Sequence, residues 1–144
     1  MIDTRTAPYA ATLLRLSLGV MFIMHAYLKL AIFTMDGTVQ FFESLGYPGF
    51  VAYLTVAAEI GGGALLILGV YTRYVAAALV PILIGAMMVH AGNGWVFSAE
   101  GGGYEYPLFL IAASATQILL GDGAYALKPG NLLGEGRTAG EASA

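Results

Sequence analysis

The sequence predicts an all-α integral membrane protein, an antiparallel four-helix bundle with a short interfacial helix between its first two spans. Three observations predict it. Of 144 residues, 58% are hydrophobic and only 10% charged, against about 25% charged in a soluble domain. Mean hydropathy is +0.76. The apolar residues also gather into runs long enough, at about 1.5 Å per helical residue, to cross a hydrocarbon core about 30 Å thick.

The length accommodates one domain. The absence of cysteine excludes disulfides, thiolate metal sites and thiol redox chemistry within this chain. A net charge of -3 without runs of like charge gives no basis for a nucleic-acid partner.

Residues 1–9 form a polar lead-in. The first span covers 10–33; Arg15 precedes its apolar core as in a signal peptide, but no A-x-A site follows and His25 and Lys29 continue the segment, so an uncleaved span is expected. Residues 35–47 mix Asp36, Gln40 and Glu43 with Phe41, Phe42 and Leu45, which suits a short helix at the lipid boundary, with Thr38 as its cap. Pro48 fits the first turn of the second span, 48–70. The connection at 71–74 is tight enough to make its flanking helices antiparallel neighbours. The third span, 75–91, contains Pro81, which predicts a kink. A glycine-rich loop with Trp95 and Glu100 leads to the fourth span, 104–127, with Pro107 in its first turn. Gly121, Asp122 and Gly123 mark a stop, or an interruption before the apolar 124–127. Residues 128–144 read as a disordered cytoplasmic tail.

Four spans put both termini on one side. Arg5, Arg15, Arg73, Lys128 and Arg137 fall on that side and only Lys29 toward the other, so both termini are expected in the cytoplasm and the chain in the cell inner membrane.

Glu59 lies in the middle of the second span. An ionised side chain at mid-depth costs at least about 2.5 kcal/mol, so it faces the bundle interior and finds partners. Depth counting gathers His25, Lys29, Glu59, His90 and Glu105 in the outer half, while the inner half holds only Arg15 and Gln117 as comparable groups. Plainer explanations exist: a protonated Glu59 hydrogen-bonded between helices, a Lys29 that snorkels, an interfacial His90, a Glu105 that favours its helix N-terminus, an Arg15 anchored at the inner interface. His25 is too deep for easy hydration and needs a partner, for which Glu59 is the obvious candidate. Gly61, Gly62 and Gly63 follow Glu59 directly; they fit close helix packing or, alternatively, room for a flat ligand.

Three kinds of work suit these residues. A pocket of His25, Lys29, Glu59, His90 and Glu105 suits a quinone headgroup, with His25 or Glu59 as the catalytic group that exchanges its protons. A polar core without catalysis suits a membrane subunit that scaffolds a soluble oxidoreductase. A metal or haem site would draw on His25, His90 and Glu59, although the histidines are about 8 Å apart in depth by helical rise, which counts against axial haem ligation. Association into homo-oligomers is compatible with all three.

The residues resemble the DoxX family of small four-helix membrane proteins over about 13–127. The resemblance rests on Arg15 with Leu18 and Gly19; His25 and Lys29; Ala58, Glu59, Ile60, Gly61 and Gly62; Gly69 with Thr72 and Arg73; His90; Glu105, Tyr106 and Pro107; and Gly121, Asp122 and Gly123. Ala26 stands where glycine is common after the first-helix histidine. The resemblance implies a place in a quinone-linked or sulfur-oxidising membrane oxidoreductase system, with the pocket residues at matching positions. With no cysteine, flavin motif or evident haem pair, electrons would come from a partner or substrate.

Overall fold

The structure is a computed structural model that describes residues 2–128. Among these are five α-helices and no strand: α1 (Ala7–Tyr27), α2 (Met35–Ser44), α3 (Phe50–Leu68), α4 (Thr72–His90) and α5 (Glu105–Leu120). A π-helical turn, Leu28–Ile32, prolongs α1, and a 3-10 turn, Ala91–Asn93, prolongs α4. Three helical stretches are long and apolar enough to cross a membrane, Ala7–Ile32, Phe50–Leu68 and Thr72–Asn93. The fourth apolar helix, α5, has 16 residues, about 24 Å at the helical rise.

Small residues set the helix spacing. A Cβ on Gly19 would come within 2.8 Å of the Gly63 carbonyl oxygen, and one on Gly63 equally close to that of Gly19, so α1 and α3 touch backbone to backbone. Gly62 faces the Leu79 side chain of α4, whereas nothing lies within 4 Å of a Cβ on Gly61. The close-packing explanation therefore applies to two of the three glycines. Leu18, Phe22, Leu66, Leu79, Leu83 and Leu110 form the core between α1, α3, α4 and α5. The large apolar side chains of the outer surface point away from it: Phe109 is 67% and Leu119 81% exposed, as expected of a surface that meets lipid.

Several boundaries differ from expectation. The α2 cap is Thr34, whose hydroxyl accepts from the Gly37 amide; Thr38 lies inside the helix and is buried. Pro48 precedes α3 by two residues, its carbonyl accepting from the Val51 amide. The α3–α4 turn closes through Gly69 (φ 70°) and Tyr71 (φ 47°), so α4 begins at Thr72 rather than 75. At the other end, α5 stops at Leu120, the nearer of the two expected ends, because Gly121 turns the chain with φ 89°.

Beyond the stop at Gly121, the apolar 124–127, the alternative end of the fourth span, and Lys128, the first residue of the expected tail, form with 121–123 a strap across one end of the molecule. The Ala124 amide donates to the Pro8 carbonyl, Leu127 to that of Leu68 and Lys128 to that of Gly69. The strap thus joins the start of α1 to the end of α3. Of the expected tail, 128–144, Lys128 is tied into the strap by its bonds with Gly69 and Tyr71, and residues 129–144 lie outside the described residues.

Candidate functional site

At the end opposite the strap, a cavity of about 440 Å³ opens between α1, α2, α3, α4 and α5. His25, Lys29, Glu59 and His90 contribute to its lining, amid apolar residues including Phe41, Phe42, Leu45 and Leu110. Its size and its few polar groups in an apolar wall match a small-molecule site.

Lys29 is Glu59's partner. Its Nζ lies 2.8 Å from one Glu59 carboxylate oxygen and 2.9 Å from the other. Glu59 is buried in mid-α3, and Lys29 is partly exposed in the π-helical turn. Such turns occur often at functional sites. Here the turn is fastened from α2, since the buried Thr38 hydroxyl donates to the Lys29 carbonyl at 3.0 Å as well as to that of Thr34.

His25 is not hydrogen-bonded to Glu59. Its Nδ1 lies 2.8 Å from the Met21 carbonyl; a carbonyl only accepts, so this nitrogen carries the hydrogen and Nε2 remains an acceptor in the neutral ring. The imidazole stacks on Tyr106, with ring centroids 5.9 Å apart and 19° between planes. Tyr106 also lines the cavity, and its hydroxyl donates to the Met21 sulfur at 3.2 Å. His90 has the same tautomer, because its Nδ1 meets the carbonyls of Gly101 and Gly102 at 3.0 and 3.1 Å.

Glu105 stands apart from this cavity. Its carboxylate accepts from the Phe97 amide at 2.6 Å, tying α5 to the preceding loop, and it borders a second cavity between α1 and α5. Among the described residues, no three His, Asp or Glu side chains converge as a metal ion would require.

Sequence reasoning passed over two features. Tyr106 was one member of a motif; its place as the third residue of the fourth span, at the outer level of His25, was the available signal. The second is the strap end, where Arg15, Thr72, Ser114 and Gln117 are all buried. The Gln117 amide donates to the Gly121 carbonyl, and Asp122 accepts from the Thr72 amide at 3.0 Å. Depth counting placed Arg15 and Gln117 at that end; Thr72, Ser114 and Asp122 join them there.

A profile of the family described as DoxX matches residues 10–92. The chain belongs to the DoxX family. The match runs from the first turn of α1 to the end of α4, and so includes His25, Lys29, Glu59 and His90, while Glu105 and Tyr106 of this DoxX protein fall beyond it. A protein of Bacillus subtilis (strain 168) named "Putative oxidoreductase CatD" is 42% identical over 76 residues, which are 53% of this chain and 55% of that protein. The alignment thus spans about half the length of that curated relative. No solved structure matches this DoxX protein.

Proposed function

We propose that this DoxX protein binds a quinone, or a similar small redox-active molecule, in the cavity of Lys29 and Glu59, as part of a membrane oxidoreductase system. The observation that carries the reading is the ion pair in the cavity wall. A buried ion pair is often no more stabilising than apolar residues of equal volume, so fold stability alone gives little reason for one beside a ligand-sized space. The CatD relative, by its name an oxidoreductase, supports the redox direction.

The residues suit a planar ring bearing two oxygens. The Lys29 ammonium is a donor for a ligand oxygen, and the carboxylate of Glu59 and the Nε2 of His25 are acceptors for the protons that a reduced ring would release as its electrons pass to a redox partner in the membrane system. His90 adds a further acceptor at the cavity edge. The bound molecule would supply the redox chemistry, and the chain would orient it and exchange protons with it.

In this reading α1, α3, α4 and α5 cross the bilayer as an antiparallel bundle with α2 at its surface. The strap end, and with it both termini, faces the cytoplasm, as the five cations against one favour. The chain has no cysteine, so single cysteines introduced at Thr4 and Ser98 report the side on which each lies. Labelling of both from the same side would overturn the topology.

The functional test is purification in mild detergent, an optical spectrum and organic extraction, followed by ring-binding measurements on Glu59→Gln. Bound quinone and weaker binding in the variant are expected. A protein that carries no such molecule and binds none would instead favour the scaffolding subunit.

A further inference from the structure

The second cavity, of about 1000 Å³, is a groove between α1 and α5. Its wall is almost wholly apolar, with Met24, Leu28, Trp95, Phe97, Leu108 and Phe109 contributing. Met24, Trp95, Phe97 and Phe109 are each about half or more exposed. The groove therefore opens on the outer apolar surface and meets acyl chains in a bilayer.

The two cavities are neighbours that share Met21, His25 and Tyr106. The stacked rings of His25 and Tyr106 stand between the polar cavity and the groove. The partition is lightly fastened on the Tyr106 side, because its hydroxyl bonds to a thioether sulfur, a weak acceptor. Glu105, the ionisable group that belongs to the groove alone, is already engaged by the Phe97 amide.

We infer that this groove seats the hydrocarbon chain of a membrane-soluble ligand whose polar ring occupies the cavity of Lys29 and Glu59, with His25 and Tyr106 at the point where ring and chain meet. The inference rests on the proposed function and narrows it from small redox-active molecules in general to those with a lipid tail. Such a ligand reaches the site laterally from the bilayer. The lining that the groove shares with the polar cavity, Met21, His25 and Tyr106, is what a ligand's own chain would pass and an unrelated lipid in the same place would not.

The test compares two probes in nanodiscs, a dimethoxy-methyl benzoquinone with a decyl chain and the same ring without the chain. Ala112→Phe narrows the groove from the exposed side of α5 without touching the polar cavity. The full-length variant is expected to bind the chain-bearing probe about tenfold more weakly, a change of about 1.4 kcal/mol, and the chainless ring as before. Leu108→Phe, on the same wall, is the second variant should the first lose both probes through misfolding. An unchanged affinity for the chain-bearing probe in a folded groove variant would assign the groove to bilayer lipid and overturn the inference, with the proposed function intact. If neither probe binds the native protein, the proposed function fails and the inference with it.

Discussion

Lys29 Nζ bonds both carboxylate oxygens of Glu59, at 2.8 and 2.9 Å, and so joins the π-helical end of α1 to the middle of α3. The two residues are 30 positions apart in sequence, and neither is satisfied by its own helix. The pair has a net effect smaller than its parts, because desolvation offsets much of the Coulomb attraction.

Removing one partner should therefore be worse than removing both. Lys29→Met leaves the Glu59 carboxylate buried among apolar neighbours, at a cost of up to about 3–5 kcal/mol, reduced by the partial exposure of Lys29 and by protonation of the carboxyl. The double variant Lys29→Met, Glu59→Gln should recover most of the loss. Thermal unfolding of the four proteins in one detergent measures the coupling; additive losses would mean that the two side chains do not act as a pair.

Thr38 should act on the site through Lys29. Its hydroxyl fastens the carbonyl of the residue whose ammonium holds Glu59, and α2 carries the cavity-lining Phe41 and Phe42. Thr38→Val keeps the shape and removes the donor, at about 0.5–1.5 kcal/mol for a partly buried hydrogen bond, since the Thr34 carbonyl keeps the Thr38 amide. The variant should broaden or shift the Lys29 Nζ resonance in nitrogen-labelled protein, and Thr38→Ser should restore it. A Val variant with an unaltered Lys29 signal would reduce Thr38 to a packing residue.

Asp122 should stabilise the strap end. It accepts from the Thr72 amide and so caps α4 from a distant segment, in the manner of an N-cap contributed by another part of the chain. Asp122→Ala should lower stability by about 1 kcal/mol and speed amide exchange at Thr72, while Asp122→Asn, which keeps an acceptor, should do less of both. Equal exchange in all three proteins would remove the cap from the account.

The helices were legible because hydropathy and length decide them: the apolar runs around His25, Glu59 and Pro81 each became a helix within a few residues of expectation. That Glu59 has a partner was legible for the same reason, since a lone carboxyl in such a run demands one. Which partner was not. Depth counting ranked His25 and Lys29 together, and the π-helical turn that presents Lys29 has no signature in LKLAI. The Thr38 hydroxyl depends on a contact across a chain reversal, which one-dimensional spacing does not encode. Glu105 was grouped with the cavity by depth alone, but rotation about α5 turns it to the Phe97 loop. The strap was missed because the apolar 124–127 fits a helix as well as an extended segment, and the φ of 89° at Gly121 decides between them.

The glycines after Glu59 give the sharpest separation of packing from propensity. At Gly63 a methyl group would strike the Gly19 carbonyl and Ile23 of α1, each at 2.8 Å; the carbonyl belongs to helix backbone, so relief requires the two helices to part. At Gly61 the same methyl meets nothing within 4 Å, and alanine should favour the helix by about 0.8–1 kcal/mol. Gly63→Ala is thus expected to lower the unfolding temperature and Gly61→Ala to leave it unchanged or raise it, although the two residues are two positions apart on one helix. Gly63→Ala should also weaken the Lys29–Glu59 contact, since both joints hold the same pair of helices, and a double-variant cycle with Lys29→Met would register that coupling. Equal effects at the two glycines would mean that α1 and α3 do not approach through Gly19 and Gly63.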